Sequence, residues 1–181
     1  MSKDIEREQA IAGQAGSEPL KDQVGGQLIS ALQETHGGAV SEVIQAFGEI
    51  TLVVPRERIV ELCEHLKTTP QFAFNLLADI CGVDRGPEED PRFEVNYHLF
   101  STTKFHRLRL KVVVGEEDAR VPTVTGIWRT ANWHERETFD MFGVRFDGHP
   151  DLRRILLPDD WQGHALRKDF PLRGYEPYSL S

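Results

Sequence analysis

Cysteine is scarce in this 181-residue chain: there are two, Cys63 and Cys81, far apart and outside any C-x-x-C pair. Such spacing suggests neither a disulfide framework nor a self-contained zinc site, and it leaves both as reduced thiols of an intracellular core. Iron–sulfur clusters are usually held by about four cysteine thiolates, so any cluster chemistry must belong to another chain. Long apolar runs are missing too. Nothing approaches the roughly 18 residues needed to span a bilayer, and the opening MSKDIEREQA lacks the apolar core of a signal peptide. Basic charge is outweighed, with a formal net charge of -8, which argues against a nucleic-acid partner. The glycine-rich nucleotide cradles and the G-x-S-x-G nucleophile elbow are absent. H-E-x-x-H begins at His134-Glu135 but fails at Thr138.

What is present reads as one α+β domain. Residues 1–24 are polar, with Gly13, Gly16 and Pro19, and suit a flexible leader without assigned function. Leu28, Ala31 and Leu32 follow at helical spacing, stopped by Gly37-Gly38. The apolar runs 40–47 and 49–54, parted by Gly48, predict a hairpin. Pro55 opens a helix whose Ile59, Leu62, Cys63 and Leu66 fall at i, i+3, i+4 and i+7. Phe72, Leu76 and Ile80 suggest a further helix, running into the turn-rich stretch 82–91. Then the period changes to two: Phe93, Val95, Tyr97 and Leu99 alternate with polar residues, as do Leu108, Leu110, Val112 and Val114. Glu94 against the row Arg107, Arg109 and Lys111 suits paired antiparallel strands with a solvated face. The expected fold is a small mixed or antiparallel sheet with helices packed on it over residues 25–148, followed by an extended C-terminal arm over 149–181.

The stretch HERETFDMFG, from His134 to Gly143, decides the reading. Asn132 with Glu135 three residues on matches a variant capping box, and Gly143 suits the other end. On a helix, Trp133, Glu137, Asp140 and Met141 share one side while Phe139 and Phe142 point to the other, so both sides call for burial. Buried Glu137 and Asp140 then need cations, with Arg136, Arg153 and Arg154 nearest in sequence. The arm carries four of the chain's ten prolines and has no sustained period, yet interleaves Trp161, Phe170, Tyr175 and Tyr178 with Arg153, Arg154, Arg167 and Arg173. Aromatics with arginine are an interface signature, and such an arm is expected to lie across another protein.

ANWHERETFDMFGVRFDGHPDLRRILLPDDW, then HALRKDFPLRGY, resembles the signature of the thirty-kilodalton subunit of respiratory complex I, also called its C subunit. The likeness is strongest from Ala131 to Tyr175 and extends loosely back to Phe72. One departure is Ala165, where the family pattern usually has Pro. The resemblance implies a peripheral-arm subunit of proton-translocating NADH:quinone oxidoreductase that holds no cofactor and no catalytic residue. Electrons would pass from NADH through FMN and iron–sulfur clusters of partner subunits to quinone. Its neighbours would be the D and B subunits, at the cytoplasmic face of the inner (plasma) membrane if bacterial. The implied subunit interface takes Trp133, Glu135, Arg136, Glu137 and Asp140 from the helix, and His149, Asp151, Arg153 and Arg154 from the turn after it. Trp161, Arg167, Lys168, Asp169 and Tyr175 come from the arm. The same module in a membrane-bound hydrogenase, a cofactor-F420 dehydrogenase or a plastoquinone-linked complex is the alternative. A stand-alone metal-dependent hydrolase using His149 and Asp151 is the distant one.

Overall fold

The computed structural model describes residues 38–174, with Gly26, Ile29, Ser30 and Leu32 before them. The leader 1–24 and Tyr175 and Tyr178 lie outside the described residues, as does most of the first expected helix, of which Leu32 is buried. In order come β1 (Glu42–Ala46), β2 (Glu49–Val53), a 3-10 turn (Arg56–Arg58), α1 (Ile59–Thr68), β3 (Leu76–Asp84), β4 (Phe93–Ser101), β5 (His106–Val114), β6 (Arg120–Pro122), α2 (Ala131–Phe142) and β7 (Arg145–Asp147). The main sheet has five strands in the order β1-β2-β5-β4-β3. Its pairings are antiparallel except β2 with β5, so the sheet is mixed. The hairpin turns on Phe47 (φ 53°) and Gly48 (φ 73°), both left-handed as a two-residue type I′ turn requires.

Strict alternation in β4 and β5 sends Phe93, Val95, Tyr97, Leu99, Leu108, Leu110, Val112 and Val114 into one core. Ile59, Leu62, Cys63 and Leu66 of α1, all with no exposed surface, close it from above. α2 packs on the sheet through β3, where the ring of Phe142 lies against Gly82 so closely that a Cβ there would stand 2.5 Å from it. Elsewhere on the sheet Lys111 meets Glu94 at 2.9 Å and Arg109 meets Glu49 at 2.7 Å, the charge-paired solvated surface that the alternation implied.

Residues 76–84 correct the sequence reading: they form a strand, not a helix. The register between β3 and β4 slips between Leu77 and Asp79, a bulge that places buried Leu77 and Ile80 three positions apart. Phe72, Leu76 and Ile80 fit a helical stripe by spacing, but in the strand Leu76 faces outward while Leu77 and Ile80, on either side of the bulge, are the buried pair. The capping box is also not formed: α2 starts at Ala131 with Thr130 as N-cap and no side-chain cap, while Gly143 (φ 80°) ends it as expected.

Candidate subunit interface

Helix α2 has three sides. The first meets the sheet and the loop before the helix: Glu135 accepts hydrogen bonds from the Thr123 hydroxyl (2.5 Å) and the Val124 amide (2.8 Å), and Thr138 donates to the carbonyl of Ile80 on β3. Burial pushes the Glu135 carboxyl up to about 7, since one hydroxyl and one amide compensate it only partly.

The second side is covered by the chain's own tail, and of the cations nearest in sequence it is Arg154 that meets Asp140. Asp140, with no exposed surface, accepts the amides of Ile155 (3.0 Å), Leu156 (2.8 Å) and Leu157 (2.9 Å) on one oxygen and Arg154 Nη1 (2.6 Å) on the other. Burial alone would raise this carboxyl; the Leu157 amide, Arg154 and the Ile155 and Leu156 amides outweigh it and hold it below the usual range. Arg154 also donates to the carbonyls of Trp161 (3.0 Å) and Gly163 (2.9 Å), so one guanidinium folds the tail into a loop. Arg136 donates to the carbonyls of Arg153 (3.1 Å) and Arg154 (2.9 Å).

A helix end leaves carbonyls without partners. Here the tail supplies them: His164 Nδ1 donates to Asp140 O (2.9 Å), Leu166 N to Met141 O (3.1 Å) and Arg167 Nε to Phe142 O (2.7 Å). The fit depends on Gly143, where a Cβ would come within 2.5 Å of the His164 ring. Positive groups at this end also meet the negative pole of the helix.

Further along, the tail is pinned to the sheet by a cluster that sequence reasoning missed. Arg92, 1% exposed, is bound by Asp84 through two contacts of 2.9 Å, by Glu116 at 2.8 Å and by Asp169 at 2.6 Å. The Lys168 amide donates to Asp84 at 2.7 Å. Hydrogen bonds from Arg92, then from Lys168 and Gly86, hold Asp84 far below the usual carboxylate range despite its burial. The only signals were single charges inside ICGVD and PRFEV, which local spacing does not connect.

The third side of α2 is open, which corrects the expected burial of Trp133 and Glu137: the tail reaches the helix through Arg136 and Asp140 and leaves those two residues uncovered. Trp133 is 59% exposed, with the Arg136 guanidinium 5.4 Å from its ring centroid, and Glu137 stands exposed one turn on. Asp151 pairs with Arg153 at 2.9 Å on the surface. His149 caps its own turn, Nδ1 accepting the Asp151 amide (3.0 Å) and Nε2 facing Asn132 O (3.2 Å), so both ring nitrogens are occupied. Among the described residues no group of three or more His, Cys, Asp or Glu side chains is placed to hold a metal ion, and no helix is long and apolar enough to cross a membrane. Of the expected interface residues, Glu135, Arg136, Asp140 and Arg154 therefore serve the chain's own packing. Trp133, Glu137, Asp151 and Arg153 remain outward. Trp161, half-buried, stacks on Phe170 at 6.1 Å, and Tyr175 lies outside the described residues.

The chain is thus a layered α+β module whose tail completes its last helix and leaves one side of that helix, with Trp133, uncovered. The model of the respiratory-chain NADH dehydrogenase 30 Kd subunit matches residues 52–176, from β2 through the tail, and the chain belongs to that family. The second C subunit of NADH-quinone oxidoreductase from Rhizobium meliloti is 53% identical over 148 residues, 82% of this chain and 80% of that protein. The corresponding C subunit of Roseiflexus sp. is 54% identical over 129 residues, 71% and 74% of the two chains. Among solved structures, the trypsin-resistant fragment (1-134) of Nqo5 superposes with a TM-score of 0.60 at 40% identity, covering 69% of this chain and 98% of the fragment. A chain of the membrane-bound sulfane sulfur reductase, an archaeal respiratory membrane complex, gives 0.69 at 27% identity, covering 82% and 86%. The homologues are thus subunits of an enzyme complex, NADH-quinone oxidoreductase, or complex I.

Proposed function

We propose that this chain is a peripheral-arm subunit of proton-translocating NADH:quinone oxidoreductase that carries no electrons itself. It joins the D and B subunits, on the cytoplasmic face of the membrane, while FMN and iron–sulfur clusters in partner subunits conduct from NADH to quinone. The observation that carries this reading is the open side of α2, where Trp133 is exposed but already oriented by Arg136. Large, fixed aromatics are the residues that anchor protein interfaces. The tail offers a further apolar surface of its own. Its inner side is bonded to the domain, and it turns Leu156 (60% exposed), Leu166 (56%) and Leu172 (104%) outward. Residues 25–148 are then the folded module, 149–181 the interaction arm and 1–24 a leader.

Trp133→Ala and Glu137→Gln test it. Each is expected to leave the isolated chain's stability within about 0.5 kcal/mol, as for surface substitutions, while lowering incorporation into the complex and with it quinone reductase activity. Full incorporation of both variants would sink the interface. A second reading, the same module serving a relative of complex I with another donor or acceptor, is favoured by the likeness to the sulfane sulfur reductase chain. Oxidation of NADH with quinone by the complex purified through this chain would decide for the first.

A further inference from the structure

Glu135 has no exposed surface and meets two polar partners, Thr123 Oγ1 at 2.5 Å and the Val124 amide at 2.8 Å. Among the described residues no cation pairs with it. From α1 it faces Cys63 and from β4 Tyr97, two acids that its charge would push further up and whose own burial already keeps them protonated. The Tyr97 hydroxyl is itself buried without a hydrogen-bond partner. Cations on the flanking helices are engaged elsewhere: Lys67 donates to the Ile127 carbonyl and lies 5.9 Å from the Trp128 ring centroid, and Arg136 donates to the tail carbonyls. His65 of α1 packs edge-on to Phe72 at 5.5 Å. A buried carboxylate in such surroundings is costly, whereas a carboxylic acid is not.

Thr123 Oγ1 lies 3.0 Å from Thr125 Oγ1, and both threonines are half-buried. A chain of hydroxyls therefore runs from the carboxyl toward the surface. We propose that Glu135 is carried protonated in the folded chain, that it exchanges its proton with solvent through Thr123 and Thr125, and that its ionisation loosens the seat of α2 on the sheet. In the acid form the Glu135 O–H donates to Thr123, whose hydroxyl donates to Thr125. On ionisation each proton moves one oxygen outward, Thr125 releases its own to water, and Thr123 reforms its bond toward the carboxylate. No electron moves and no group is transferred.

The folded-state pKa of about 7 lies above the ordinary 4.5. The stabilisation is then complete below pH 4.5 and is lost as pH rises through 7. The test is a carboxyl-carbon NMR titration of the full chain with Glu135 assigned. A midpoint near 7 is expected, and a midpoint at or below 4.5 would overturn the proposal. Two variants extend it. Glu135→Gln should remove the fall in melting temperature between pH 5 and 8, and an unchanged fall would place that pH dependence elsewhere and contradict the seat. Thr125→Val should leave the midpoint in place but slow proton exchange, seen as broadened resonances near it; unaltered exchange would refute the relay.

Discussion

Glu135 and Asp140 lie five positions apart on α2, both without exposed surface, and they meet opposite surroundings. The sheet side gives Glu135 one hydroxyl and one amide, and its carboxyl is pushed up to about 7. The tail side gives Asp140 a guanidinium and three successive amides, and its carboxyl is held down. Burial raises both. What differs is the supply of positive and donating groups, and on the tail side that supply comes from residues 154–157. The HPDLRRILL block thus acts as the counterpart of one carboxylate before it contributes anything to a partner chain.

The strongest way to break this contrast is Asp140→Asn, which leaves Arg154 without its anion and turns an amide donor toward backbone donors. Removing one partner of a buried pair costs about 3 to 5 kcal/mol, and the tail should become sensitive to protease beyond Arg153 under native conditions. A tail that resisted cleavage as well as the wild type would show that Asp140 is not its anchor. Arg92→Met should cost a similar about 3 kcal/mol at pH 7 by stranding Asp84. That deficit should shrink toward pH 4, where the stranded acid takes up a proton. Urea unfolding at the two pH values checks it, and an equal deficit at both would exclude the ion cluster as the cause.

Glu135→Gln sharpens the contrast from the other direction. The amide removes the charge while still offering an acceptor oxygen, and the rise from 4.5 to about 7 corresponds to roughly 3 kcal/mol gained above pH 8 and almost nothing at pH 4. Equal urea midpoints for variant and wild type above pH 8 would deny that burial of this charge costs stability. The smallest effect expected is from Gly82→Ala, whose Cβ would press on the Phe142 ring. Overpacking of this kind costs about 1 to 3 kcal/mol. A neutral result in thermal melting would mean that α2 shifts freely on the sheet.

The parts of this fold that obey a local period were legible in the sequence. β4 and β5 show themselves by alternation, α1 by its i, i+3, i+4, i+7 stripe, and the first hairpin by Gly48. Of the two-sided demand of HERETFDMFG, the burial of Asp140 and Arg154 as its cation were legible, whereas Trp133 and Glu137, expected buried on the same side, stand exposed. The cover of the second side was not legible, because the tail has no period, and its contacts join positions as distant as Asp84 and Lys168. β3 misled because Leu76 and Ile80, four apart, fit a helical stripe as well as one face of a strand, and with the bulge between them it is Leu77 and Ile80 that are buried while Leu76 faces outward. Glu135 looked like half of a capping box, and nothing local to residues 132–135 marks Thr123 and Val124 as its partners.

The tail is folded onto α2 by the chain itself, with Asp140 as its seat. Amide hydrogen exchange of Ile155, Leu156 and Leu157 in the isolated chain tests this most directly, since these three N–H groups all end on one carboxylate oxygen. A lowered carboxyl pKa implies stabilisation that is complete above pH 3.8 and is lost as pH falls through the folded-state value. Strong protection of all three is expected at neutral pH, lost together when Asp140 is replaced by Asn. Exchange at the rate of an unstructured peptide in the wild-type chain would contradict it.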